Sequence, residues 1–207
     1  MMERYKVYPR GFGANSYILT ADCKNAVVID PSSYAVIREL EARGLVPAYV
    51  LLTHCHFDHV MFTQELQSMG AQVVCLDKEQ PYVNTEVDLF SLAGVARKPF
   101  TVNKTVSHGE RFCLAGISFT AWSLPGHTSG CAAYLTENNG EKWLFCGDVL
   151  FEDSIGRTDF PTGSLSKMRE SLRFLKNLEG EYLLFCGHGD DTTLSREKAK
   201  NPFLTDI

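Results

Sequence analysis

The sequence has no apolar run near the about 20 residues needed to cross a bilayer as a helix, so a membrane is not among its expected partners. Positive charge is also scarce. Lys and Arg number 20 against 25 Asp and Glu, giving a formal net charge of −5, and the basic residues form no dense cluster. A chain of that sign is not drawn onto a phosphate backbone, which removes nucleic acid from the expected partners. The seven cysteines (Cys23, Cys55, Cys75, Cys113, Cys131, Cys146 and Cys186) include no CxxC pair. An odd count suits small buried thiols in a reducing compartment better than a disulfide framework. Met1 to Arg10 lacks an apolar stretch and a small-residue cleavage site, so no secretory signal is expected and a cytoplasmic location is the simplest expectation. Low-complexity linkers, repeats and composition breaks are absent as well, and 207 residues can bury a core without a disulfide. A single domain over residues 1–207 follows, with its oligomeric state left open.

What is present is an alternation of helix and strand signals. Apolar, β-rich runs predict strands at Ser16–Leu19, Ala26–Ile29 and Ala48–Leu52. Between them Val36, Ile37 and Leu40 recur at helical spacing, which predicts a helix over Tyr34–Arg43 stopped by Gly44. A second helix is expected over Phe57–Met69, closed by Gly70, and a strand over Gln72–Leu76. Val83–Lys104 reads as a helix and a loop over one face. Thr105–Phe151 reads as antiparallel strands with turns at His108-Gly109 and Asn139-Gly140. A helix over Leu165–Leu178, with Leu165, Met168, Leu172 and Leu175 along one face, precedes a strand at Tyr182–Phe185. Two halves that each mix helices and strands fit an α/β (α+β) core of sheet on sheet with helices outside.

Histidine is rare, with six in the chain, yet three fall in Thr53-His54-Cys55-His56-Phe57-Asp58-His59, directly after an apolar strand. Imidazole and carboxylate suit zinc and similar borderline ions, and a strand-to-helix loop can aim alternate side chains at one point. His54 and His56 can face one ion while Asp58 and His59 turn toward a second. Three more ligand-type residues share one layout of strand, glycine, ligand: His127 in Pro125-Gly126-His127, Asp148 in Cys146-Gly147-Asp148, and His188 in Gly187-His188. Each alone is an ordinary turn residue. Together with the histidine cluster they read as one metal site.

The His54, His56, Asp58, His59 segment is an unbroken HxHxDH motif and resembles the metallo-β-lactamase superfamily over about Asn15 to Leu204. Gly147-Asp148-Val149-Leu150-Phe151, Gly156-Arg157-Thr158-Asp159, Gly187-His188-Gly189 with Thr192-Thr193-Leu194, and Asn201-Pro202-Phe203 look most like glyoxalase II-like thioester hydrolases and their single-domain relatives. The resemblance implies a four-layer αβ/βα sandwich with two divalent metal ions, zinc first, with iron or manganese as alternatives. It implies that His54, His56 and His127 hold one ion, that Asp58, His59 and His188 hold the other, and that Asp148 bridges them. Val60-Met61-Phe62 departs from the small, Gly-rich continuation usual after the motif. It either narrows the substrate entrance or repacks the helix.

The implied chemistry is hydrolysis of a small-molecule thioester, such as S-lactoylglutathione or another acylglutathione, by a hydroxide shared between the metals, with Asp58 and Asp148 as the catalytic carboxylates. A thiolate, of pKa near about 8.5, leaves unprotonated, whereas an amide nitrogen needs a general acid that the sequence does not offer outside the ligands. Arg157 is the candidate contact for a substrate carboxylate, with a structural ion pair to Asp159 or Asp153 as the alternative. Rival readings are a mononuclear-iron persulfide dioxygenase on His54, His127 and Asp148, another hydrolase of the fold acting on a lactone, β-lactam or phosphoester, and a binding or nuclease-like member. His108 is expected only to solvate a hairpin turn, Cys55 to be the thiol most open to oxidation, and Gly11-Phe12-Gly13 to be a plain turn.

Overall fold

The computed structural model describes residues 2–9, 11 and 13–207. Strands β1 (Glu3–Val7), β2 (Ser16–Thr20), β3 (Asn25–Ile29), β4 (Val46–Leu52), β5 (Gln72–Leu76) and β6 (Lys104–Val106) form one sheet in that order. It is antiparallel from β1 to β3 and parallel from β3 to β6. The second sheet holds β7 (Arg111–Leu114), β8 (Ile117–Ser123), β9 (Ala132–Asn138), β10 (Glu141–Gly147), β13 (Leu183–Cys186) and β14 (Thr192–Thr193), in the order β14-β13-β10-β9-β8-β7. A short hairpin, β11 (Leu150–Phe151) with β12 (Ser154–Ile155), lies between.

Strand alternation builds the layers. In β2 and β3 the side chains of Tyr17, Leu19, Val27 and Ile29 enter the core between the sheets, against Phe119, Tyr134 and Phe145 of the other sheet. Their neighbours Ile18, Ala26 and Val28 face the opposite way, where α1 (Tyr34–Arg43) and α3 (Thr63–Ser68) cover them with Val36, Ile37, Leu40 and Leu66. The outer face of the second sheet is covered by α5 (Leu165–Lys176), α6 (Leu194–Lys200) and α7 (Pro202–Thr205) through Met168, Leu172, Leu175, Leu194 and Leu204. Helix, sheet, sheet, helix is the four-layer sandwich expected. No helix is long and apolar enough to cross a membrane, among the described residues.

Several expectations need correction. The helix over Phe57–Met69 is two pieces, α2 (Phe57–Val60) and α3, interrupted at Met61-Phe62. Its ladder is cut by distant competitors: the Asp58 carbonyl accepts the Ala14 N–H at 3.1 Å, and the Phe62 N–H donates to the Pro31 carbonyl at 3.0 Å. The last long helix stops at Lys176, and Leu165 is 48% exposed, so its buried face starts at Met168. Val83–Lys104 contains one short 3₁₀ turn, Glu86–Asp88, and one helical turn, α4 (Phe90–Ala93). The edge strand β1 and the small elements β12, β14, α6 and α7 had no predicted counterpart.

Candidate metal centre

The ligand-type residues sit where strands end. His54 and His56 follow β4, Asp58 and His59 lie in the first turn after them, His127 is in the β8–β9 loop, Asp148 follows β10, and His188 follows β13. Parallel pairing of β10 with β13 brings the last two loops side by side. A side chain at Gly187 would overlap Asp148 Oδ1 and come within 2.8 Å of His59 Cε1, so glycine is required there by close approach.

The seven side chains expected in the site meet in two triads, and Asp148 joins His54 and His59 in a third group. Donor atoms of His54, His56 and His127 converge within 4.8 Å of one another, and so do those of Asp58, His59 and His188. Asp148 lies between them: Oδ1 is 3.2 Å from His59 Nε2, while Oδ2 is 3.4 Å from His127 Nε2 and 3.5 Å from His188 Nε2. His56 Nδ1 and His127 Nε2 are 2.8 Å apart, and His188 Nε2 is 3.2 Å from Asp58 Oδ2.

Residues behind the ligands fix their tautomers. His59 Nδ1 donates to Asp30 Oδ2 at 2.9 Å, and His127 Nδ1 donates to the Arg157 carbonyl at 2.7 Å, so each Nε2 faces the cluster as the nitrogen left to hold an ion. Asp30 also accepts the Thr53 N–H at 2.8 Å and the Thr53 hydroxyl at 2.6 Å, tying the end of β3 to the start of the histidine loop. Glu79, fully buried, accepts the Cys55 N–H and the Thr128 hydroxyl, each at 2.9 Å, and so joins the loops that carry His56 and His127. Asn15 donates to the carbonyls of Cys186 and Gly189 on either side of His188. None of Asp30, Asn15 or Glu79 was found from the sequence. Asp30 alone carried a signal, since it ends the apolar run Val27-Val28-Ile29 as Asp148 ends its own.

The electrostatics suit cations. Burial, reinforced by neighbouring imidazoles, holds His54 and His56 neutral, His56 down to about 3. Burial pushes Asp58 and Asp148 upward, but His59 and His188 beside them outweigh it and keep both carboxyls below the usual range. Burial likewise works against protonating His59 and His188, yet the carboxylates raise both, His188 to about 9. Nε2 of His54, His56 and His59 and Oδ1 of Asp148 are buried with no hydrogen-bond partner. Buried polar atoms are seldom left so. Imidazole nitrogens and carboxylate oxygens converging without a thiolate fit divalent zinc, iron or manganese.

A family model of the metallo-beta-lactamase superfamily matches residues 9–188. The chain belongs to that superfamily. A hydroxyacylglutathione hydrolase, GloC, of Haemophilus influenzae is 34% identical over 202 residues, 93% of each chain. Among solved structures, the BLEG-1 B3 metallo-beta-lactamase is 31% identical with a TM-score of 0.84, covering 99% of this chain and 100% of that one. TTHA1623, in a di-iron-bound form, is 31% identical with a TM-score of 0.84, covering 97% and 100%. The protein is thus an enzyme of the metallo-hydrolase superfamily, with His/Asp groups arranged for divalent metals.

Around this metallo-beta-lactamase centre, three other expectations change or resolve. Arg157 is exposed and pairs with Asp159 through two hydrogen bonds of 2.7 Å, the ion pair named as the alternative, while Asp153 pairs with Arg196 instead. Cys55 is buried, and burial beside Glu79 pushes its thiol well above the usual range, so it is protected from oxidation and not exposed to it. His108 does more than solvate a turn: its Nδ1 accepts the Ser123 N–H at 3.0 Å.

Proposed function

We propose that this protein is a two-metal thioester hydrolase acting on an acylglutathione, such as S-lactoylglutathione, or a related thioester. The observation that carries this reading is the pair of complete triads with Asp148 between them. A mononuclear site would need only His54, His127 and Asp148, and would leave the converging group of Asp58, His59 and His188 without a purpose. Divalent ions held by the seven residues, zinc in the first instance, supply a water acidified toward neutral pH and an electrophile for the substrate carbonyl.

The chain's own residues do the rest. Asp58 borders a 240 Å³ cavity over the cluster, where its carboxylate accepts a hydrogen bond from the attacking water and orients it. The other side chains around that cavity are ligands or are Phe57, Leu89, Phe151, Arg157 and Phe160, none of which is a general acid. A leaving group must therefore depart as an anion, which a thiolate does readily and an amide nitrogen does not. Arg157, at the cavity rim, meets a carboxylate of the thiol carrier by exchanging its partner Asp159, since an exposed pair is worth at most about 1 kcal/mol. The 34% identity to a hydroxyacylglutathione hydrolase over nearly the whole chain supports the same substrate class. The reading extends to one domain in the cytoplasm.

The test joins elemental analysis of protein purified without chelators to thiol release from acylglutathione thioesters. About two divalent ions per chain, and loss of turnover in His54→Ala and Asp148→Ala, are expected. Undiminished turnover in metal-replete variants would overturn the assignment. A single iron with oxygen uptake on a persulfide would replace it with the dioxygenase.

A further inference from the structure

The metal cavity does not end at the cluster. It shares Phe57, Asp58, Leu89, Arg157 and Phe160 with a second, larger groove of 800 Å³. Beyond those shared residues, the groove is lined by Met61, Phe62, Leu92, Ala93 and Val95 and by Gly11, Gly13, Ser32 and Ser33. Leu92 is 72% exposed and Val95 37%, large apolar side chains left in water at the mouth of a site. They are held there by a special backbone: Leu89 takes φ +65°, a left-handed conformation unfavourable for a branched side chain, and starts the single turn α4. The departure at Met61-Phe62 belongs to the same wall, because the break between α2 and α3 turns both side chains to the groove while Val60 enters the core.

Among the described residues, charge is nearly absent from this wall. Asp58 and Arg157 are the charged residues on it among the described residues, both at the junction with the metal cavity, and Arg157 is already paired with Asp159. Glutathione carries two carboxylates and an ammonium; Arg157 at the junction can meet one carboxylate, and along the rest of the groove such charges would lose hydration without gaining partners. The acyl part of a thioester carries none of them. We infer that the groove binds the acyl group, and that thioesters of extended aliphatic acids are turned over faster than those of short ones. This rests on the thioesterase reading, with the scissile carbonyl over the metal cluster, the carrier toward Arg157 and the acyl chain along Leu89, Leu92 and Val95.

Two measurements test it. The first compares kcat/KM for butyryl, hexanoyl and octanoyl thioesters of N-acetylcysteamine, a small neutral carrier. Each buried methylene adds up to about fourfold, so octanoyl is expected to exceed butyryl by at least about tenfold, and the double variant Leu92→Ser/Val95→Ser to flatten that ratio. The second measures calorimetric binding of the uncleavable S-methyl to S-octyl N-acetylcysteamine thioethers, with affinity expected to rise with length in the native chain and not in the variant. A flat or falling length dependence in either series overturns the inference. Cleavage without a length gain sinks the groove assignment and spares the thioesterase. Length-dependent binding with no thioester cleaved does the reverse.

Discussion

Replacing Asp30 by Asn tests whether a residue that touches no substrate sets the metal occupancy. Asp30 receives the Thr53 N–H, the Thr53 hydroxyl and His59 Nδ1–H. In Asp30→Asn the amide oxygen can keep the Thr53 N–H, and the amide nitrogen can donate to the Thr53 hydroxyl, so the fold loses only the charged character of these bonds, about 1 kcal/mol. His59 fares worse. An NH₂ group now faces its Nδ1–H, and the donor clash is relieved by moving the proton to Nε2, the atom that faces Asp148 and the second triad. Loss of such a support costs about 10- to 100-fold in metal affinity, equivalent to about 1.4–2.7 kcal/mol. Competition against a chelator of known affinity reads this directly, and the expected result is weakened binding at Asp58, His59 and His188 with His54, His56 and His127 unchanged. Two ions retained with native affinity would refute the tautomer argument. Asp30→Ala should also lower stability, because the Thr53 N–H is then buried without an acceptor, at a cost of about 1–3 kcal/mol.

Proton release should separate the two triads. His59 and His188 lie above their ordinary pKa, His188 at about 9, so both carry protons at pH 7 in the metal-free chain and an ion there displaces about two. Affinity at that triad therefore rises with pH through the range in which His188, at about 9, and His59 lose their protons. His54 and His56 are already neutral, His56 down to about 3, and release none. Calorimetry in buffers of different ionisation enthalpy measures both steps, and equal proton release from the two would contradict the assignment. Gly187→Ala should overpack the junction of Asp148 and His59, destabilise by about 1–3 kcal/mol and lower metal content, read by denaturant unfolding and elemental analysis. Leu66→Ala, in the fully buried contact of α3 with the first sheet, should cost about 2–5 kcal/mol on the same unfolding curve.

The convergence of the seven candidate ligands was legible because histidine is scarce and their positions share one layout at strand ends. The first sheet was legible for a related reason: β2 to β5 bury both faces, so each reads as a short apolar run, and α1 carries its own stop signal in Gly44 at φ +65°. What failed depended on partners far away in sequence. The break at Met61-Phe62 is set by hydrogen bonds from Ala14 and to Pro31 that no local pattern encodes. Glu79 and Asn15 act by holding loops, not by belonging to a motif, and β1 is an edge strand whose Glu3, Arg4 and Lys6 hide its pairing with β2. The groove emerged only when α4 and Met61-Phe62, distant in sequence, met beside the metal cavity.

Each triad draws two members from the loop after β4 and one from the second half of the chain: His54 and His56 with His127, Asp58 and His59 with His188. An ion in either triad is therefore a clasp between segments far apart in the chain, His56 and His127 being 71 residues apart. Bonds to such ions would fasten the two sheets as well as prepare the proposed chemistry, and the loss of an ion would loosen both at once.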